Sequence, residues 1–148
     1  AAAKKLRIKL RIVGSGLGFS NIEKKLRDDY REEVDLLGHI SDKELWQEYA
    51  KAKGFIALAR EEDFGMTVVE AMAAGTPVIA FNGGGFVETV VDGETGILIE
   101  ATDVVTLEKA FKRFNEIKWD KEKLQKQAQK FSREKFEEKI RKVVAEYA

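Results

Sequence analysis

"REEDFGMTVVEAMAAGTPVIAF", residues 60–81, runs from a charged loop through an apolar helix into an apolar strand. Residues 66–75 are apolar nearly all round, the mark of a buried helix. Gly75 stands where such a helix would be capped, and "PVIAF" (77–81) reads as a buried strand. A buried helix followed by a buried strand is the repeating unit of an α/β domain, and the rest of the chain repeats it. Glu62 and Glu70 flank Phe64-Gly65 at the loop-to-helix junction.

Working outward, strand-like and helix-like segments alternate. "LRIKLRIV" (6–13) alternates strictly and predicts a strand. Residues 21–30 predict a helix with Ser20-x-x-Glu23 as its capping box, and "VDLLG" (34–38) a short strand. Residues 41–52 predict a helix with a second box, Ser41-x-x-Glu44, and "FIALA" (55–59) an apolar strand. A glycine loop and short helix (83–93) come next, then a last strand, "GILIE" (96–100). Two helices, about 103–117 and 120–146, end the chain, with Phe111, Phe114, Ile117, Leu124, Phe131, Phe136 and Ile140 facing inward. Trp46 and Tyr49 sit at helical spacing and read as packing residues.

This alternation predicts a Rossmann-like, mostly parallel sheet with helices on both faces. The first strand is the exception. Lys5, Arg7, Lys9 and Arg11 share one face, which a strand covered on both sides would not tolerate, so the strand lies at an edge or one of its faces lacks the usual cover. Its open Leu/Ile face or edge is a route to self-association.

Composition narrows the function. The chain has 148 residues, 44% hydrophobic and 35% charged, the size of one globular domain. Lys+Arg and Asp+Glu balance at 26 each, so no net field favours nucleic acid. With no cysteine and His39 as its one histidine, the chain offers no thiol nucleophile and no histidine or cysteine metal cluster. Its apolar runs are too short to span a bilayer and no signal peptide is visible, which points to a cytoplasmic protein. The Ala1-Ala2-Ala3 start without Met suggests a trimmed or engineered origin.

Ligands of such folds bind at the carboxyl ends of the strands. There the chain places "GSGLGFS", "GHIS", "AREEDFG" and "FNGGG". Gly14, Gly16 and Gly18 form either a tight turn or a loop that approaches an anion; their spacing is neither that of a dinucleotide fingerprint nor that of a P-loop. Thr67-x-x-Glu70 fits a capping box, with Glu61, Glu62 and Asp63 complementing the helix dipole. Alternatively, Gly65 lets a ligand reach the N–H groups of Met66 and Thr67, and Glu70 accepts both hydroxyls of a ribose. "FNGGG" is a tight turn or a second set of backbone donors, and Glu88 beyond it reads as a surface residue. His39 is a plain loop residue or a general acid or base.

"EDFGMTVVEAMAAGTPVIAFNGGGFVETVVDGETGILI" resembles the carboxyl-terminal domain of retaining GT-B glycosyltransferases of the Glu-x7-Glu type. Glu62 and Glu70 carry that spacing. "EAMAAGTPV", Gly84-Gly85-x-x-Glu88 and Asp92-Gly93-x-Thr95-Gly96 match the continuation of the family's motif. "IVGSG" and "LLGHIS" resemble the upstream strands, and "EEDFGMT" is similar to mannosyltransferase-like, family 4-like members. The resemblance implies that residues 1–148 form one donor-binding domain for a nucleotide sugar, a GDP- or UDP-linked hexose, with no metal and no separate cofactor. It implies that Glu62 meets the donor sugar near the reacting carbon. Asp63, Phe64, Gly65, Met66 and Thr67 would lie against sugar and diphosphate, and Glu70 would hold the ribose. Gly14 and Gly16 would approach the phosphates, and His39 and Ile40 the base edge. It further implies an acceptor domain and a first βα unit, with its Arg and Lys, outside this chain. Alone, the chain would fold but not turn over; the full enzyme could associate peripherally with a membrane. A scaffold that keeps the motif without binding, and a GT-B-like epimerase, are the competing readings.

Overall fold

A computed structural model describes residues 2–14 and 20–147, with Ser20 described in its backbone alone. The contacts divide the chain into two compact units, Ala1–Glu48 and Tyr49–Ala148. The architecture is α/β, with parallel sheets flanked by helices.

In the first unit, β1 (Leu10–Val13) pairs in parallel with β2 (Val34–Gly38). The sequence predicts a strand from residue 6, but residues up to Leu6 are helical, as α1 (Ala2–Leu6). Arg7 ends that helix at φ 52°, where its N–H donates to Lys4 and that of Ile8 to Ala3. The alanine-rich start favours helix and overrides the alternating pattern after it. The cationic face is therefore shorter than predicted, and it is neutralised locally. Arg11 bridges Glu48 and Asp35, and Lys9 lies 3.2 Å from Asp35. Between the strands runs α2 (Ser20–Asp29); the Ser20 side chain of the expected box lies outside the described residues. The second box forms as predicted ahead of α3 (Asp42–Lys51), with Ser41 N–H donating to Glu44 and Glu44 N–H to Ser41 Oγ.

In the second unit, β3 (Phe55–Ala57), β4 (Val78–Phe81) and β5 (Gly96–Ile99) form a parallel sheet in that order. Parallel neighbours need crossovers. These are α4 (Met66–Ala73) and the short α5 (Phe86–Thr89). Val78, Ile79 and Ala80 of the middle strand are fully buried, which is why its sequence is apolar without alternation. Val68, Val69, Ala71 and Met72 bury α4. Gly75 lies one residue beyond the cap, Ala74, in the left-handed region at φ 88°. Its N–H reaches Met72 O and that of Thr76 reaches Ala71 O, a complete Schellman closure.

The chain ends in three helices rather than the predicted two: α6 (Val104–Glu116), α7 (Lys121–Gln129) and α8 (Arg133–Tyr147). Asp103 and Asp120 cap the first two through backbone N–H groups of the first turn. The break at 130–132 reflects Ser132, whose Oγ accepts from Lys135 N–H as a new helix start. Phe114 and Leu124 are buried as expected. Phe136 and Ile140 are not: they are 63% and 46% exposed, because the break frees α8 from the direction of α7. Trp46 likewise stays 46% exposed, while Tyr49 is buried.

Two glycine loops lock together at the carboxyl edge of β3–β4–β5. Gly85 N–H donates to Glu62 O at 2.7 Å. A Cβ on Gly84 would stand 2.3 Å from Glu62 O, and one on Gly85 would stand 2.3 Å from Phe64 Cα. A Cβ on Gly65 would meet the buried Phe86 ring at 2.7 Å. The triple glycine is thus a seat for the Glu62–Gly65 turn. The Asp92–Gly96 turn is structural too. Asp92 makes a two-pronged ion pair with Arg113 at 2.8 and 2.9 Å and accepts from Leu98 N–H.

Both features can be tested. Gly85 has φ −64°, open to any residue, so Gly85→Ala probes close approach alone. It should destabilise the chain by about 1–3 kcal/mol in urea unfolding, as overpacking does. A variant as stable as the parent would show that the turn moves aside freely. Burial raises the Asp92 pKa, but the Arg113 hydrogen bond, the Leu98 N–H and the Arg113 charge together bring it below its ordinary value of 3.8. A depressed carboxylate contributes stability that is complete above its unfolded pKa and lost as pH falls through the folded one. The stability gap between parent and Asp92→Asn should therefore narrow in thermal melts as pH drops below about 4. A gap that is constant from about pH 7 to about pH 2 would exclude this coupling.

Candidate functional site

The parallel order of β3, β4 and β5 puts their carboxyl ends on one edge. There the loops 58–65, 82–85 and 100–103 gather. Asn82 joins two of them, its N–H donating to Ile99 O at 2.8 Å and its side chain to Glu100.

Glu62 is half-buried, and its Oε1 accepts the N–H of Gly65 at 3.0 Å. That bond closes the turn into which Gly65, at φ 80°, introduces α4. A left-handed cap residue suits glycine, since the conformation strains any residue with a Cβ. No side chain caps α4. The predicted Thr67–Glu70 box does not form, for a reason of register. A box needs Ser or Thr at the cap and Glu three residues on. Here the cap is Gly65, so Thr67 is already the second helical residue and Val68 holds the third position. Among the described residues nothing accepts the N–H of Met66 or Thr67. Both residues are exposed, Met66 by 50%, and these donors lie at the positive end of a buried helix. Asp63 and Phe64 are also exposed, and Phe64 meets Phe131 edge-on at 5.6 Å.

Glu70 is spoken for differently. Its Oε2 accepts the hydroxyl of Tyr49 at 3.1 Å. Burial, then the Glu70 charge and this hydrogen bond, push the Tyr49 hydroxyl well above its ordinary range, so it stays a donor. Tyr49 is itself placed by an edge-on contact with Phe55 at 5.4 Å, and its carbonyl accepts from the Thr76 hydroxyl. From sequence, Tyr49 reads as packing alone. The one signal is its amphipathic nature, since a buried tyrosine hydroxyl needs a partner. The partner lies 21 residues away, and no spacing rule names it. Glu62, Asp63, Phe64, Gly65, Met66, Thr67 and Glu70 therefore all belong to the second unit, about the start of α4, with Gly65 itself buried.

The remaining predicted residues belong to the first unit. Gly14, at φ 103°, donates its N–H to Gly38 O at 2.8 Å and ends the β1–β2 ladder. His39 is exposed and Ile40 half-buried, both directly after β2. Gly16 lies outside the described residues. Glu88 is exposed, as the sequence suggests. Among the described residues no group of three or more His, Cys, Asp or Glu side chains is placed to hold a metal ion. No described helix is long and apolar enough to cross a membrane.

Comparison with known proteins accords with this geometry. Residues 1–143 match the family model "Glycosyl transferases group 1". A lipopolysaccharide core biosynthesis mannosyltransferase of Rhizobium leguminosarum bv. viciae is 37% identical over 79 residues, 53% of this chain and 22% of that protein. Among solved structures, an apo lipopolysaccharide outer core galactosyltransferase superposes with a TM-score of 0.79 at 20% identity, over 95% of this chain and 41% of the other. A pneumococcal O-GlcNAc transferase in complex with UDP and GlcNAc superposes with a TM-score of 0.76 at 24% identity, over 98% of this chain and 31% of the other. The chain thus spans less than half the length of each protein it matches here. With its Rossmann-like GT-B fold and its family match over nearly all of its length, it belongs to the group 1 glycosyl transferases.

Proposed function

We propose that this chain is the donor-binding domain of a retaining glycosyltransferase that moves a hexose from a GDP- or UDP-sugar to an acceptor hydroxyl. The observation that carries the reading is the uncapped start of α4: two exposed N–H donors, a glycine beside them, and a carboxylate on either side. Free N–H groups at a helix start suit a phosphate, and on this reading the diphosphate lies over Gly65–Thr67. Glu70, one turn further in, then takes the ribose hydroxyls, with Tyr49 fixing one of its oxygens. Glu62, held at the sheet edge through Gly65 and Gly85, faces the sugar. The solved relative with UDP supports a nucleoside diphosphate ligand at this fold.

In the reaction the anomeric carbon–oxygen bond to the diphosphate breaks. A bond to the acceptor oxygen forms on the same face as the acceptor O–H bond breaks, and the nucleoside diphosphate departs, taking up that proton. Negative charge grows on the diphosphate as it leaves, so donors already aimed there favour the transition state. The acceptor would be bound by a part of the enzyme other than these residues. A scaffold that retains the motif without binding is the competing reading, and calorimetry separates the two.

Titration of the 148-residue chain with GDP, UDP and their sugars should give measurable heat with one base. Glu70→Ala should weaken that binding by about tenfold or more, and Tyr49→Phe by a smaller factor. Glu62→Gln should leave the bare diphosphate within about twofold while weakening the sugar-bearing donor. No heat with any nucleotide would favour the scaffold. Equal losses for diphosphate and donor in Glu62→Gln would move Glu62 away from the sugar.

A further inference from the structure

Between Lys53 and Lys109 the sequence carries a single cationic side chain, Arg60. That stretch holds all three strands of the second unit and the loops at their carboxyl ends. Those loops also carry Glu61, Glu62, Asp63 and Glu100. A doubly charged phosphate group entering this edge meets an acidic rim, and the helix start offers only about half an elementary charge against it.

Arg60 stands where a compensating charge is needed. Its guanidinium lies over the ring of Phe81, 5.9 Å from the centroid, within the range of a weak cation–π contact. Phe81 is the last residue of β4, so the cation sits at the carboxyl end of the sheet. A Cβ on Gly83 would meet that same ring at 2.9 Å and the Arg60 carbonyl at 3.8 Å. The Arg60 loop, the ring and the glycine loop that seats Glu62 are therefore contiguous. Among the described residues no carboxylate pairs with Arg60, although three acids come directly after it. Arg11 and Arg113, by contrast, are both locked into two-pronged carboxylate pairs. Arg60 is exposed, and a ring contact leaves its N–H edges open for two-pronged binding of phosphate oxygens.

We infer that Arg60, positioned by the Phe81 ring, binds the terminal phosphate of the nucleoside diphosphate. This rests on the donor-binding reading above and adds to it the side chain that offsets the diphosphate charge.

The test compares diphosphate with monophosphate in calorimetry on the 148-residue chain: UDP against UMP, and GDP against GMP. Arg60→Gln should weaken the diphosphate by about tenfold and the monophosphate by less than about twofold. Arg60→Lys should recover part of the loss, and Phe81→Leu, which keeps the cation but frees it, should fall between. Circular dichroism of each variant checks the fold, which the exposed Arg60 position should not disturb. If Arg60→Gln leaves the diphosphate-to-monophosphate ratio unchanged, Arg60 does not hold that phosphate and the inference fails while the donor reading stands. If the parent binds no nucleotide, the donor reading falls, and this inference with it.

Discussion

The contact on which the second unit's edge depends is one backbone pressed against another. The Glu62–Gly65 turn rests on Gly84 and Gly85 at separations no Cβ could share, tied by the Gly85 N–H to the Glu62 carbonyl. Glu62 sits on a loop, and loops are ordinarily the mobile part of an α/β domain. Here the loop inherits the rigidity of α4 and α5, because Phe86 is buried against Gly65 and the turn cannot slide past it. Positioning a carboxylate to within a fraction of an ångström is the kind of precision that group transfer asks of its site. Glycine supplies it by having no side chain, and at Gly85 left-handed geometry plays no part.

The second constraint is electrostatic. A buried helix that ends at a sheet edge without a side-chain cap keeps its positive end available. Had the Thr67–Glu70 box formed, Glu70 would have reached back to the helix start and crowded the space an anion needs. Gly65 as the cap shifts the register by two residues and sends Glu70 instead toward Tyr49. The helix start keeps its N–H donors open, and Arg60 is the one cationic side chain between Lys53 and Lys109.

Much of this is legible in the sequence, and the failures have physical causes. Continuous apolar runs at 77–81 and 96–99 identify buried parallel strands, because no other environment accepts them. The box at Ser41–Glu44 is readable because both partners lie within one turn. The start of the first strand is misread because alternation at 6–9 competes with an alanine-rich helix, and the local preference of Ala2 and Ala3 prevails. The single long C-terminal helix is misread because amphipathic periodicity runs through Ser132, whose capping bond is a matter of backbone geometry. At the site, the residues of 62–70 can be named from sequence, but their contacts cannot. The role of "GGG" as a seat and the hold of Tyr49 on Glu70 both join segments some twenty residues apart, and no local pattern encodes that.

The eight-residue interval between Glu62 and Glu70 then has a mechanical meaning. Gly65 divides it into a loop half and a helix half. In the loop half, three residues let the Glu62 carboxylate fold back on the Gly65 N–H and close the turn. In the helix half, five residues carry Glu70 somewhat more than one turn inward, past the exposed donors of Met66 and Thr67, to the depth of Tyr49. A shorter helix half would return Glu70 to the cap and cover those donors. A longer one, at about 100° per residue, would rotate it off the face it shares with Tyr49. The spacing therefore fixes two carboxylates about one uncapped helix start, each held by a different partner.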